Sequence, residues 1–262
     1  MPSTDDYLLL LPNRFRERQF LHKVAATLFV CVIFFSVSFF VSSYFQSKYT
    51  KPSILSCKKP DYDYDLLAVR WTPTFCSYQK CINSTEDWDI HGLWPSWKNK
   101  SQGPQFCCRS WGFSQTEITS LISELNEQWP NQKQNQSLDS LWKHEWTKHG
   151  TCSNVARSGG MIAYFNTTLS LFAKYPLEKW LNNSGIIPTP IEDKFAYDID
   201  KIHQTIENNL GDKTITIQCK QSKSIPLLDT IYLCFHPSTM DLVNCPPDRC
   251  KGAKKVILPK SR

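Results

Sequence analysis

The sequence predicts an α+β fold, a mixture of antiparallel strands and helices in one domain. Two observations lead to this class. Short segments with the composition or alternation of strands lie at 65–71, 89–94, 214–219 and 228–235. Helical patterns fill the stretch between the second and third of these strands, and no internal repeat or large low-complexity region is present.

The first helix is expected to begin at Ser114 and to run to about Gln128, before Pro130 stops it. Its start carries the capping-box pattern, in which Ser114 is followed three residues later by Glu117. A polar Gln/Asn stretch follows as a loop. Further helices are predicted from about Leu141 and at 161–174, 177–182 and 198–209.

The composition is that of one globular domain with basic residues in the flank at each end. The chain has 262 residues and a formal net charge of +6, which is compatible with a polyanionic partner but too modest to argue for one. We place the domain at residues 61–250. The lysine-rich residues 251–262 are predicted to form a basic tail.

An uncharged apolar segment at residues 24–45 has the length of a membrane-spanning helix. The Arg/Lys cluster before it predicts a cytoplasmic tail at 1–23, a stalk at 46–60 and a lumenal domain after the stalk. This signal-anchor interpretation is preferred. The alternative is a signal peptide cleaved near residues 42–43, which would release a soluble protein.

Asp5, Leu9 and Leu10 have the spacing of an acidic dileucine sorting signal. On a cytoplasmic tail, this signal would be read by sorting adaptors. It predicts an endolysosomal or vacuolar location for the membrane-anchored form, whereas the cleaved form would be secreted.

The cysteines indicate an oxidising compartment. Eleven cysteines occur, of which Cys31 lies in the apolar segment, so an even number follows it and predicts a disulfide framework. No Cys-x-x-Cys pair suggests a zinc site. Five glycosylation sequons agree with lumenal exposure; they begin at Asn83, Asn99, Asn135, Asn166 and Asn182.

The most informative segment is residues 141–152, in which His144, Glu145, Lys148 and His149 lie within one or two helical turns. On a helix, Glu145 lies beside both Lys148 and His149, because residues three and four apart share a face. The segment therefore combines an acid/base group, a cation and an orienting carboxylate. These are the groups needed to move protons around a developing anion.

Two simpler interpretations of this segment were weighed. The zinc-protease motif is His-Glu-x-x-His, with ligands four apart, whereas His144 and His149 are five apart and do not align on a helix. A solvated charged face is the second alternative. It fits poorly, because Trp142 and Trp146 share the opposite side and are expected to be buried.

A second segment supplies another histidine. His91 lies in a predicted strand with the sequence Ile-His-Gly-Leu-Trp-Pro. Together with Lys-His-Glu-Trp-x-Lys-His-Gly-Thr-Cys at 143–152, this segment closely resembles the two active-site segments of the ribonuclease T2 family. The resemblance extends over about residues 60 to 250 and is highly specific in the two histidine segments.

The resemblance implies a central antiparallel sheet surrounded by helices and stapled by disulfides. It also implies an endoribonuclease that cleaves single-stranded RNA through the 2′-hydroxyl, gives 2′,3′-cyclic phosphate products, and needs no cofactor or metal. Two histidines suit this chemistry, since one can be neutral and the other charged near pH 5–7. A monomer is expected.

Residue roles follow from the same resemblance. His149 is implied as the general base and His91 as the general acid. Lys148 and Glu145 are implied to stabilise the phosphorane. His144 is implied to bind the phosphate, which makes it both a catalytic and a substrate-binding residue.

Trp94 lies where the family stacks a base. Fungal members of the family carry an acidic residue shortly after this tryptophan, and this chain has Ser96 there. No base preference is therefore predicted.

The family pattern also implies disulfide pairs. They are Cys76–Cys81, Cys219–Cys250, Cys234–Cys245, and Cys152 with either Cys107 or Cys108. Cys57 and the remaining member of the Cys107/Cys108 pair are extra to the pattern and are left to bond to each other.

A non-catalytic alternative is a membrane-tethered binding or signalling ectodomain, because some relatives have kept the fold and lost the histidines. The presence of both His91 and His149 favours the enzyme. His203 and His236 are interpreted as structural or surface residues, since no acidic or histidine neighbour was recognised at a useful spacing.

Overall fold

A computed structural model describes residue 57 and residues 60–82, 84–100 and 102–261. Several predicted features lie outside the described residues. They are the cytoplasmic tail with the sorting signal at Asp5, Leu9 and Leu10, the apolar segment 24–45, and most of the stalk. Within the described part of the chain, no helix combines the length and hydrophobicity that crossing a membrane requires.

A central antiparallel sheet forms the middle of the domain, as the sequence predicts. The strands are β1 (Tyr64–Trp71), β2 (Trp88–Ser96), β3 (Tyr197–Asp198), β4 (Thr216–Lys220), β5 (Leu227–Phe235), β6 (Leu242–Val243) and β7 (Lys255–Val256). The order in the main sheet is β2-β1-β5-β4, and β6 pairs with the end of β5. Strands β3 and β7 form a separate two-stranded sheet. The four main strands match the predicted segments to within two residues at each end.

The helices are α1 (Thr72–Cys76), α2 (Ile122–Gln128), α3 (Ser140–Lys148), α4 (Asn154–Lys174), α5 (Leu177–Asn183) and α6 (Ile199–Glu207). Among the described residues, three 3₁₀ segments lie at Gln115–Leu121, Gly150–Cys152 and Ile191–Asp193. The predicted helices are present, and the short helix α1, which has a proline in its first turn, was not predicted.

The predicted helix at 114–128 is in fact two elements. Ile118 has a φ of −113° and a ψ of 17°, which breaks the first part away from α-helical geometry. The capping-box prediction is wrong, because the Ser114 side chain makes no cap hydrogen bond and instead lies 2.8 Å from the hydroxyl of Thr116. Regular helix therefore begins only at Ile122, the first residue of α2.

Helix α4 begins earlier than predicted, at Asn154, because the side chain of Ser153 accepts a hydrogen bond from the Val155 backbone and caps it. Gly160 then interrupts the helix with a φ of 73°, a conformation that favours glycine. The regular part that follows matches the predicted helix at 161–174.

The two faces of the main sheet have different surroundings. On one face, alternate β1 side chains such as Leu67 and Val69 join a large core with the helices. On the other face, Leu66, Tyr232 and neighbouring side chains form a smaller cluster, and Trp94 packs against it. The face with the smaller cluster is the one that borders the candidate site.

The last residues of the chain belong to the domain, so the predicted basic tail at 251–262 is wrong. Val256, Ile257 and Leu258 are buried, and β7 pairs with β3. The indole of Trp71 donates a 2.8 Å hydrogen bond to the Pro259 carbonyl. The apolar residues between the lysines carry this segment into the core, and the net basic charge of the segment concealed them.

Five disulfides join the ten described cysteines in the predicted pattern. Cys107 bonds to Cys152 and Cys108 bonds to Cys57, which decides the pairing that the sequence left open. The other pairs are Cys76–Cys81, Cys219–Cys250 and Cys234–Cys245. A disulfide typically stabilises a fold by about 2–4 kcal/mol. The Cys57–Cys108 disulfide therefore joins one residue of the predicted stalk to the domain.

Candidate active site

A bulge in β2 presents His91 to the site. The pairing with β1 passes from Val69 opposite Ile90 to Ala68 opposite Gly92, so His91 is the extra residue without a partner. A bulge of this kind re-aims a side chain and is common beside active sites. The indole of Trp129 donates a 2.9 Å hydrogen bond to the His91 carbonyl and so satisfies the backbone that the ladder leaves unpaired.

Buried tryptophans anchor helix α3. Trp142 and Trp146 are both buried, as predicted. Their indole nitrogens donate hydrogen bonds to the carbonyls of Trp129 and Trp111, at 2.8 and 2.9 Å. The apolar side of the helix is thereby fixed to the core, and the opposite side, with its titratable groups, faces the cavity.

His149 lies at the end of α3 and not within it. Its φ is −114°, and its backbone amide still donates to the Glu145 carbonyl at 3.0 Å. The Cys107–Cys152 disulfide and a 2.9 Å hydrogen bond from the Phe106 amide to the Lys148 carbonyl fix this end of the helix.

One cavity brings the predicted site residues together. It has a volume of about 220 Å³. Its lining includes all six residues that the sequence singled out for the reaction, namely His91, Trp94, His144, Glu145, Lys148 and His149. Ser96 lines it as well.

Among the titratable residues that line the cavity, Glu145 is the most deeply buried, with 1% of its surface exposed. The indole of Trp94 donates a 2.7 Å hydrogen bond to its Oε2, and the Nε2 of His91 lies 3.9 Å from its Oε1. Burial raises the pKa of Glu145 to about 8, although the Trp94 hydrogen bond and Lys148 oppose the shift. In the free site near neutral pH, this carboxyl group is therefore largely protonated.

His149 is held neutral. Burial lowers the pKa of His149 to about 3, and the positive charges of Lys148 and His144 act in the same direction. Its ring lies 5.3 Å from the ring of Trp94, and its Nδ1 has no hydrogen-bond partner among the described residues. An unprotonated, unengaged imidazole in a cavity is able to accept a proton.

His91 is more accessible, with 35% of its side chain exposed. Burial lowers the pKa of His91 well below the ordinary histidine value, and the positive charge of Arg70 acts in the same direction. A bound phosphodiester would oppose this positive charge with its negative charge and raise this pKa again. The binding of an anion therefore favours the protonated form of His91.

His144 and Lys148 form the exposed edge of the cavity. The rings of His144 and His149 are 6.4 Å apart, and partial burial followed by the charge of Lys148 lowers the pKa of His144. Together these two side chains present nitrogen donors to any anion in the cavity.

Three of these residues could also hold a metal ion. Donor atoms of His144, Glu145 and His149 all lie within 4.8 Å of one another. Although His144 and His149 are five residues apart and do not align on a helix, their donor atoms come together at the end of α3, where His149 is the C-cap residue. A cation bound there would have to displace the proton that burial favours on Glu145.

Two supporting residues were missed by the sequence interpretation. A Cβ on Gly92 would lie 2.3 Å from both Glu145 Oε2 and Trp94 Nε1, so only glycine allows their hydrogen bond. Arg249 also lines the cavity, from the loop between two half-cystines. The sequence signal for Arg249 was no more than a basic residue in a cysteine-rich segment.

His203 was also misjudged. Its two ring nitrogens lie 2.8 Å from carboxylate oxygens of Glu207 and Asp248, which raise the pKa of His203 to about 9 even though burial opposes the shift. Glu207 is four residues further along α6, a spacing that the sequence already contained. His236 is exposed, and its ring faces the backbone amides of Ser238 and Thr239.

Comparisons with known proteins agree with this geometry. The model of the Ribonuclease T2 family matches residues 62–245. Ribonuclease Oy of Magallana gigas is 33% identical over 192 residues, which cover 71% of this chain and 88% of that protein. Intracellular ribonuclease LX of Solanum lycopersicum is 33% identical over 217 residues, covering 79% and 87%.

The fold is similar to that of solved ribonucleases. The crystal structure of RNase NT in complex with 5′-AMP superimposes with a TM-score of 0.67 and 31% identity, over 76% of this chain and 99% of that one. Sequence, fold and the meeting of both histidine segments in one cavity thus lead to the same assignment. The chain belongs to the ribonuclease T2 family and is an endoribonuclease.

Proposed function

We propose that His149 and His91 act as the base and the acid of RNA cleavage, in which the ribose 2′-hydroxyl attacks the adjacent phosphodiester. The observation that carries the proposal is that His91, His149 and the cationic Lys148 line one cavity. RNA supplies its own nucleophile. The protein has to supply a proton acceptor, a proton donor and a group that stabilises the pentacoordinate phosphorane.

His149 accepts the 2′-hydroxyl proton. Its buried ring is unprotonated above pH about 3, so it is ready to act as a base throughout the acidic and neutral range. The neighbouring ring of Trp94 restricts its orientation. A positioned general base typically accelerates a reaction by about 10²–10⁴-fold.

His91 protonates the departing 5′-oxygen. Its accessible side chain faces the cavity, and the phosphodiester that enters beside it favours the imidazolium form. The two histidines thus divide the work according to their surroundings, since the more buried ring stays neutral and the more accessible ring is charged by the substrate.

Lys148 and His144 bind the phosphate, and Lys148 stabilises the added negative charge of the phosphorane. Glu145 is protonated in the free site and is positioned by Trp94, so it can donate a hydrogen bond to a phosphate oxygen as well as orient His91. Such groups stabilise the transition state more than the ground state, because the charge on the phosphate increases as the reaction proceeds.

The substrate is single-stranded RNA, and the products carry 2′,3′-cyclic phosphate ends. In-line attack requires a backbone geometry that A-form pairing does not supply. Trp94 is the proposed contact for a base, although His91, His149 and Tyr232 already cover parts of its ring.

We further propose that the domain works in the lumen of the endolysosomal or vacuolar system, tethered by residues 24–45, with adaptors reading Asp5, Leu9 and Leu10. The secreted form remains the alternative. Five disulfides support an oxidising compartment, and the exposed Asn99, Asn135, Asn166 and Asn182 support glycosylation there, while Asn83 lies outside the described residues. Redistribution to the cell surface after replacing Leu9 and Leu10 by alanine would agree with this proposal, and an unchanged distribution would contradict it.

The mechanism is tested with the full-length chain and a defined RNA oligonucleotide, with product ends identified by mass spectrometry. His149→Ala and His91→Ala should each lower kcat by at least about 10²-fold. His236→Ala, which removes an exposed histidine outside the cavity, should leave kcat unchanged. Full activity after His149→Ala, loss of activity in EDTA, or products without cyclic phosphate would each exclude this mechanism.

A further inference from the structure

Arg249 approaches the catalytic cavity from a different part of the fold than the residues proposed for the reaction. Those residues lie on β2 and α3, whereas Arg249 belongs to the loop after β6 that returns across the edge strand β4. Its backbone amide donates a 2.8 Å hydrogen bond to the Ile217 carbonyl of β4. Arg249 is exposed at the border of the cavity.

The loop that carries Arg249 is rigidly attached. One disulfide joins Cys245 to Cys234 in β5, and a second joins Cys250, the next residue after Arg249, to Cys219 in β4. The Thr216 hydroxyl also donates a hydrogen bond to the Pro246 carbonyl. The backbone that presents Arg249 is therefore fixed before any ligand binds, which reduces the entropy lost on binding.

Tyr232 forms a platform for the guanidinium. The Cζ of Arg249 lies 5.1 Å from the centre of the Tyr232 ring, within the range of a cation–π contact. Tyr232 is only 3% exposed, and its hydroxyl donates a 2.8 Å hydrogen bond to Gln218. The centre of its ring lies 6.1 Å from that of Trp94, so Tyr232 packs beside a residue that lines the catalytic cavity.

Within the described part of the protein, the guanidinium of Arg249 contacts Tyr232 and forms no ion pair. No carboxylate there lies within ion-pair distance of it, in contrast to Arg70, which is paired with Asp89 at 2.9 Å. Asp248, which precedes Arg249 in the sequence, pairs with His203 instead. A guanidinium of this kind presents a planar set of donors that fits a phosphate group.

Building on the proposed ribonuclease function, we propose that Arg249 binds a second phosphate of the RNA strand, adjacent to the phosphate that is cleaved. The scissile phosphate is surrounded by His91, Lys148 and His149. Arg249 lies over Tyr232, whose ring is 6.1 Å from that of Trp94, and Trp94 in turn contacts His149. The proposal places the phosphate of a neighbouring nucleotide at this guanidinium. The site would therefore recognise oligonucleotides by their length and not by their bases.

The test compares two substrates with the same scissile step, a dinucleoside monophosphate with one phosphate and a tetranucleotide with three. Arg249→Gln in the full-length chain should lower kcat/KM for the tetranucleotide by about tenfold, the effect of one charge-assisted hydrogen bond. It should leave kcat/KM for the dinucleoside monophosphate unchanged. Lys179→Gln, which removes one exposed charge near a different cavity, is the matched control and should affect neither substrate.

A binding measurement separates this proposal from the catalytic one. The dissociation constant of an all-2′-deoxy tetranucleotide, which cannot be cleaved through a 2′-hydroxyl, should rise about tenfold in Arg249→Gln and depend less steeply on salt. This result stands even if the chain cleaves no RNA. Equal losses on both substrates, unchanged binding of the deoxy tetranucleotide, or a lowered Tm that accounts for the loss would each overturn the proposal.

Discussion

The indole Nε1 of Trp94 donates a 2.7 Å hydrogen bond to the buried carboxyl group of Glu145. The same tryptophan lies with its ring 5.0 Å from His91 and 5.3 Å from His149, so it contacts all three titratable groups at the centre of the cavity. Strand β2 and helix α3 are thereby coupled through one side chain. The position of Trp94 explains how groups that are more than fifty residues apart in sequence keep a fixed geometry.

Replacing Trp94 by phenylalanine keeps an aromatic side chain but removes the buried hydrogen bond to Glu145. This loss should lower kcat by about 10–100-fold. The pKa of Glu145 should rise above about 8, since the Trp94 hydrogen bond is what lowers it. The pH profile of kcat measures both effects. Trp97→Phe is the control, because the half-buried Trp97 also donates one hydrogen bond, to the Asp61 carbonyl, and does not line the cavity. Equal effects of both substitutions would show that Trp94 has no special role.

Adding one methyl group at Gly92 should disable the site. The Cβ of Gly92→Ala would lie 2.3 Å from both partners of the Trp94–Glu145 hydrogen bond, so one of them has to move. We expect kcat to fall at least about tenfold and the free energy of unfolding to fall by about 1–3 kcal/mol. Gly112→Ala is the matched control, since a Cβ there has no atom within 4 Å. Wild-type kcat in Gly92→Ala would show that the hydrogen bond is dispensable.

The pH profile of kcat/KM should have an alkaline limb below pH 6.5, because the reaction needs neutral His149 and protonated His91. Below pH about 3, His149 becomes protonated and cannot accept a proton. As pH rises, His91 in the free enzyme loses its proton at a value below 6.5, so the alkaline limb should lie below that value. The alkaline limb of kcat should lie higher, because bound phosphate favours protonated His91. An alkaline limb of kcat/KM well above 6.5 would contradict the assignment.

His203 should make stability depend on pH. Its pKa is raised to about 9 by Glu207 and Asp248, so its contribution is fully present below 6.5 and is lost as pH rises through 9. His203→Gln should cost about 1–3 kcal/mol at pH 6, as expected for hydrogen bonds to charged groups. Thermal unfolding measured from pH 6 to 10 should show the Tm difference between the two proteins shrinking. A constant difference would mean that the charge of His203 contributes nothing.

Truncating Leu258 to alanine should lower the free energy of unfolding by about 2–5 kcal/mol, because the side chain is buried in the core. Lys260→Ala, two residues further on and exposed, should change it by less than about 0.5 kcal/mol. Chemical denaturation of both variants measures the difference. Similar values for the two variants would restore the interpretation of residues 251–262 as a tail.

Local patterns predicted most of the secondary structure. The main strands and four helices could be located because alternation, helical periodicity and breakers such as Pro130 act over a few residues. The errors have local causes too. The capping box failed because Ser114 bonds to Thr116, and α4 started early because Ser153 caps it. The lysines of the last segment concealed three buried apolar residues.

The sequence by itself determined the family, the α+β class and the identity of the proposed catalytic groups, because two short and specific segments carry them. It also determined that His144, Glu145, Lys148 and His149 lie close together, since a helix fixes neighbours over one turn. The convergence of the donor atoms of His144 and His149 was decided only by the tertiary structure, at the end of α3.

Only the tertiary structure decided which distant groups meet in the cavity. The bulge that presents His91 depends on pairing with β1. The protonation states of Glu145 and His149 depend on burial. Arg249 is held at the site by a loop that two disulfides attach to the sheet. The physical reason is that hydrogen bonds across strands, removal of water and packing between elements all act between residues far apart in sequence. No local pattern in a single sequence records them.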